Sequence, residues 1–243
     1  MRSRTESSFN VMPFRTIRWQ RRSGLVFAFL VGLVGALVGA SGLRAETDAV
    51  ESLPASFGEL LVGLAEMTGL EARFEEEKYL ALLAAPLRSS GRLFFAPPSS
   101  LLRRVEKPRP QDILVAGNQI RISDESGEQR IDLDVRGEVR PLVESMIWIF
   151  TGDLESLERI YRVDYQVLEG ANGEEDRWQV RLMPRMSPLS DLVRELRVSG
   201  RDRAADTLEL IETTGDRTVT HILDVNRQRQ FTAAERREFF ASP

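Results

Sequence analysis

The chain has 243 residues, no cysteine, one histidine and a formal net charge of −4 at neutral pH. That length suffices for one domain with a sizeable core. The absence of thiols excludes disulfide staples, a cysteine nucleophile and sulfur-ligated metals.

The first 45 residues carry seven arginines and one glutamate. Arg15, Arg18, Arg21 and Arg22 precede an acid-free apolar run over residues 25–40, and small residues follow as far as Ala45. This is the order of a secretory signal, so residues 1–45 are expected to be a signal peptide, cleaved after Ala45 or after Gly42. The run of 16 residues is long for a signal and short for a relaxed span, which keeps an uncleaved N-terminal membrane anchor as the alternative. Residues 46–243 are expected to form a single domain. Its 26 basic and 36 acidic residues give a net charge of about −10, so no nucleic-acid partner is expected.

From residue 55 onward, Phe57, Leu60, Leu61, Leu64 and Met67 recur at helical spacing, with Gly69 as the expected stop. The period then becomes two. Leu70, Ala72 and Phe74 alternate with Glu71, Arg73 and Glu75, the pattern of a strand with one wet face. The stretch GRLFFAPPSSLLRRVEKP (91–108) is expected to be a hairpin. Pro97 and Pro98 lack the amide hydrogens a ladder needs and so mark its bend, and a second strand should run over 101–107. Residues 112–135 hold three short strands, separated by Gly117-Asn118 and by DESGE (124–128). Residues 138–160 are expected to be helical, with Leu142, Met146, Ile149 and Phe150 along one side. Further strands are expected in YRVDYQVLEG, DRWQVRLMP, DLVRELRVSG, AADTLELIETTGD and HILDV. Thr232 and Glu235 form a capping box for a closing helix. Some ten or eleven short strands with two or three interposed helices predict an antiparallel sheet that curls towards a barrel.

The residues with reactive side chains give little chemistry. No G-x-S-x-G elbow occurs, and His221 lies alone in a strand pattern. Asp132 and Asp134, flanking Leu133, read as one solvated strand face rather than an ion site. No enzyme activity, metal or cofactor is expected. What the pattern does support is an apolar sheet face covered by helices at 55–67 and 141–150. Leu93, Phe95, Leu101, Met146, Trp148 and Phe150 are the expected cavity and lid residues. If the space is hollow, a twelve-carbon guest contributes roughly 8–10 kcal/mol before ordering costs. An ordinary filled core remains the other reading, and the choice of Leu93/Phe95 over Phe94 is open because a one-residue slip inverts it.

GRLFFAPPSSLLRRVEKP, preceded by ARFEEEKYLALLAAPLRSS, resembles the periplasmic lipoprotein carrier family typified by LolA. Gly91 and Leu93 match its Gly-x-Leu, Pro98 the proline of its Arg-Pro, and Pro108 its closing proline. WQVRLMP (178–184) and the segment 198–222 resemble its later strands, so the likeness spans about 55–225. The family's latch arginine falls on Pro97 and its next Phe and Trp on Leu101 and Arg103, while Glu76 stands near its strand glutamine. With these departures the chain resembles a divergent branch, closer to the LolA-like proteins that accompany lipid or aryl-polyene type biosynthesis in some Gram-negative bacteria than to the housekeeping lipoprotein shuttle.

The resemblance implies an α+β fold, a curved antiparallel sheet forming a half-open β-barrel of ten or eleven strands under helical lids, LolA/LppX-like. It implies a monomeric periplasmic carrier of a Gram-negative bacterium. The cargo would be a lipid or an acylated lipoprotein, taken from an inner-membrane donor complex and passed towards an outer-membrane acceptor. Two other readings stay open: an interaction or sensor module on the same fold, and a hydrolase using an acid pair.

Overall fold

The computed structural model describes residues 53–240 apart from 136, 138, 171–175 and 203. The expected leader therefore lies outside the described residues. Eleven strands form one antiparallel sheet: β1 (Leu70–Tyr79), β2 (Leu87–Ala96), β3 (Ser100–Lys107), β4 (Gln111–Ala116), β5 (Gln119–Asp124), β6 (Gly127–Asp132), β7 (Tyr161–Leu168), β8 (Arg177–Pro184), β9 (Val193–Arg201), β10 (Ala204–Glu212) and β11 (Arg217–Asn226). Their spatial order is β6-β5-β4-β3-β2-β1-β11-β10-β9-β8-β7. Two meanders are thus joined at the centre by the β1–β11 pair, and β6 and β7 are the two free edges. The sheet is curved and does not close.

Among the described residues, five helices accompany it: α1 (Phe57–Ala65), α2 (Arg140–Thr151), α3 (Leu154–Ile160), α4 (Leu189–Leu192) and α5 (Ala233–Phe240). Each start has a local cause. The Ser56 hydroxyl accepts from the Glu59 amide at 3.2 Å, Pro141 opens α2, and the Asp153 carboxylate accepts from the Ser156 amide at 3.0 Å. For α5 the expected capping box is present, with the Thr232 amide donating to Glu235 Oε2 at 2.8 Å and the Glu235 amide to Thr232 Oγ1 at 3.2 Å.

The hairpin expected at 91–108 is β2–β3, with the two prolines in its bend. Three other expectations are corrected. The helix expected across 138–160 breaks at Gly152, whose φ of 76° ends α2 in the left-handed conformation, and Asp153 then caps α3. Helix α1 stops at Ala65, ahead of Gly69, because Gly69 is drawn into a bridge with Gln228 and its carbonyl accepts from the Arg229 amide at 3.2 Å. The strand expected from 191 begins at Val193, since residues 189–192 first complete a helical turn.

Gly91 explains itself by distance. It lies where β2 and β3 change register opposite Val105, and a methyl group on it would overlap the carbonyl oxygen of Arg104.

Most buried apolar side chains form one cluster between the covered sheet face and α1, α2 and α3. A smaller cluster on the opposite face joins Phe94, Ala96, Leu102, Leu114 and Phe231, with Phe239 and Phe240 of α5 packed over it. The two-fold alternation of β2 and β3 therefore serves two cores.

Candidate functional site

The site is built by topology. One segment, residues 133–160, carries the chain from edge strand β6 to edge strand β7, at opposite ends of the sheet. Its two helices must cross the face between those edges, and the apolar side of α2 settles onto it through Leu142, Val143, Met146, Ile149 and Phe150. The N-terminal α1 packs beside α2, and the Tyr165 hydroxyl of β7 donates to the carbonyl of Pro54 just ahead of it.

The six residues expected to line this interface are brought together. Leu93, Phe95 and Leu101 project from β2 and β3 on the covered face, Phe95 pairing with Leu101 across the ladder. Met146 and Phe150 descend from α2, and the Phe95 and Phe150 rings stack with centroids 4.5 Å apart and an interplanar angle of 18°. Five of the six are buried, while Trp148 is partly buried at the margin of the same cluster. Phe94 faces the other way, against α5. These side chains meet in one buried cluster between lid and sheet.

The most unusual group on the covered face is one the apolar pattern does not announce. Arg103 stands between Leu101 and Val105 in the alternation of β3, with 0% of its side chain exposed. Its guanidinium carbon lies 4.3 Å from the centre of the Phe74 ring, and Nη2 lies 2.9 Å from Glu76 Oε2. Glu76 in turn accepts from Ser89 Oγ at 3.1 Å and from Thr220 Oγ1 at 3.2 Å. Burial pushes the arginine below its ordinary pKa, and the neighbouring carboxylate opposes that shift. Among the described residues, none of Nε, Nη1 and Nη2 of Arg103 has a hydrogen-bond acceptor, so Nη2 meets Glu76 as an ion pair only. The signal in the sequence was an arginine at a position whose i−2 and i+2 neighbours are both apolar.

The other groups singled out from the sequence serve the frame. Asn118 donates to Asp132 at 3.2 Å and also to Asp134, which additionally pairs with Arg140 at the start of α2. His221 is exposed on β11, opposite Glu75. Two clefts open on the surface. One, of about 500 Å³, is lined by Arg104, Glu106, Asp112 and Asp124, and the other, of about 470 Å³, by Glu75, Glu77, Arg88 and Lys107 and also by Glu76 and Ser89, so that it borders the Arg103 cluster. None of the six lid and sheet residues lines either.

The family described as outer membrane lipoprotein carrier protein LolA-like matches residues 48–235. The chain belongs to that family. Among curated proteins, none matches it. Three solved structures are similar in fold: a LolA superfamily protein of Nitrosomonas europaea (11% identity, 74% of this chain and 97% of that one, TM-score 0.40), a putative outer membrane lipoprotein-sorting protein domain of Vibrio parahaemolyticus (14%, 73% and 93%, 0.42) and the lipoprotein LppX of Mycobacterium tuberculosis (9%, 73% and 100%, 0.40). The match extends beyond the 55–225 of the resemblance and includes α1, the whole sheet and the lid segment. The family is one of carriers rather than of enzymes. Its LolA-like sheet with overlying helices is the α+β class expected from the sequence. Among the described residues, no helix is long and apolar enough to cross a membrane.

Proposed function

We propose that this LolA-like protein is a periplasmic carrier. It takes up the acyl part of a lipoprotein, or another lipid-like molecule, between the covered sheet face and the lid helices, and moves it from the inner towards the outer membrane. The leader at residues 1–45 would direct export, and residues 46–243 would be the carrier domain. Leu93, Phe95, Leu101, Met146, Trp148 and Phe150 would contact the guest.

The observation that carries this reading is mechanical. The lid belongs to the segment joining the two sheet edges, and none of its residues between 140 and 160 takes part in the ladder. Lifting it uncovers the main apolar face without breaking a strand-to-strand hydrogen bond. The buried cluster is then the closed form, and an acyl chain would replace the side-chain contacts of the lid, each buried methylene contributing about 0.8 kcal/mol. Delivery would follow from a higher affinity of the acceptor for the same guest.

The seating of Met146 and Phe150 against the sheet, both buried, also favours a second reading, a periplasmic interaction module that uses the fold without cargo. One experiment separates them. The full chain, exported to the periplasm of a Gram-negative host and purified without detergent, is weighed by native mass spectrometry. A bound mass that extracts as a lipid or acylated peptide is the expected result. An apo mass, together with failure to take up a fluorescent fatty acid, would overturn the carrier reading in favour of the module.

A further inference from the structure

We propose that Arg103 is the point at which the guest's polar root is recognised, and that the group it accepts is an uncharged carbonyl, such as the ester or amide that joins an acyl chain to its carrier molecule. This deepens the carrier reading and rests on it.

The argument starts from the cost of the residue. A guanidinium in an apolar interior is expensive to desolvate, and an ion pair there adds little stability over apolar side chains of the same size. Arg103 nevertheless lies fully buried between Leu101 and Val105, under the lid core. Its pairing is also incomplete. Glu76 lies in ion-pair contact with Nη2 at 2.9 Å and Phe74 covers the face of the group, yet Nε, Nη1 and Nη2 all lack a hydrogen-bond acceptor among the described residues. A buried donor without an acceptor is an unmade interaction that a ligand can complete.

The chemistry of that ligand follows from Glu76. The carboxylate already balances the charge of the arginine, and the hydroxyls of Ser89 and Thr220 hold it in place. A second anion at Arg103 would sit close to Glu76 in a medium of low dielectric and be repelled. A neutral carbonyl oxygen accepts the spare N–H groups without that repulsion. Placed beside Phe95 and Leu101, such a carbonyl would leave its alkyl chain among the lid residues.

The test compares probes of matched length: methyl dodecanoate, dodecyl methyl ether, which lacks the carbonyl, and dodecanoate. Each displaces a neutral polarity-sensitive dye from the full chain. The expected result is that the ester binds about tenfold more tightly than the ether, whose oxygen is a weaker acceptor than a carbonyl, and that dodecanoate binds no more tightly than the ester. In Arg103→Met combined with Glu76→Gln, which leaves no lone buried charge, the ester and ether should bind equally. Arg103→Lys should keep part of the preference. Circular dichroism and thermal melting show that each variant is folded.

Equal binding of ester and ether to the unaltered protein, or a preference that survives in the double variant, would overturn the proposal and leave the pair as a brace of the sheet. Dodecanoate binding tenfold more tightly than the ester would overturn the choice of an uncharged group. If none of the three displaces the dye, the carrier reading itself fails, an outcome distinct from equal binding.

Discussion

Glu195 shows what a charge does on the open side of the sheet. Its Oε1 is 2.7 Å from Arg181 Nε and 2.6 Å from Arg197 Nε, and Arg197 also reaches Glu209 at 3.0 Å. The hydrogen bond from Arg181 and then that from Arg197 hold its carboxyl at about 2, against an ordinary 4.5. Because the folded value lies below the unfolded one, the interaction stabilises the fold above pH 4.5 and is lost as the pH falls towards 2. The arginines are about one-third exposed, so solvent screening keeps its worth near 1 kcal/mol. Glu195→Gln should therefore lower the melting temperature at pH 7 and flatten its decline between pH 4.5 and 2. Thermal denaturation across that range, compared with the unaltered protein, checks both. The Arg103–Glu76 pair differs in its burial, with 0% and 9% of the two side chains exposed, which is why it, and not the outer ladder, is a candidate for recognition.

At the scale of elements, β2 presents Leu93 and Phe95 to one core and Phe94 to another. A strand buried on both faces needs a third layer, and the tail supplies it. Phe239 of α5 packs 4.9 Å from the Phe94 ring, with the Arg104 guanidinium 5.2 Å from its own centre, and Phe231 meets Phe94 edge-on at 6.4 Å. Phe239→Ala should cost about 2 kcal/mol, below the range for a fully buried ring because Phe239 is only partly buried. Urea denaturation measures this, and an unchanged midpoint would mean that α5 does not hold the sheet. The capping box made the helix legible in the sequence, but its docking place was not. Arg229, which anchors the turn into α5, pairs with Glu235 six positions on and with Glu71, 158 positions away.

For the whole molecule, the decisive feature is that the lid lies outside the ladder. Helices α2 and α3 are held by side-chain packing, by the chain at their two ends and by a few hydrogen bonds, from Arg140 to Asn118 and from Arg185 to the carbonyls of Glu158 and Ile160, whereas β1, β2 and β11 are paired along the ladder on both sides. Local opening should follow that difference. Native-state hydrogen exchange is expected to show the amides of residues 142–160 opening at a free energy well below global unfolding, while the central strands exchange only when the whole sheet unfolds. Equal protection in lid and sheet would mean that the lid does not open as a separate unit, which would weigh against entry of a guest by this route.

By itself the sequence determined the strand periods, the bend at Pro97-Pro98, the capping box, the order of elements and the likeness to the LolA family. Each of these is encoded by neighbours a few residues apart, through alternation, missing amide hydrogens and side chains that cap nearby backbone. The same local code misplaced the end of α1 and ran α2 and α3 together, since Gly69 is claimed by residue 228 and a single glycine decides where a helix turns. Only the tertiary structure decided which face of β2 meets the lid, that Phe94 belongs to a second core, and that Arg103 meets Glu76 and Phe74 across the sheet. Those outcomes depend on strand register and on contacts between distant residues, where a shift of one position would turn every side chain to the other face.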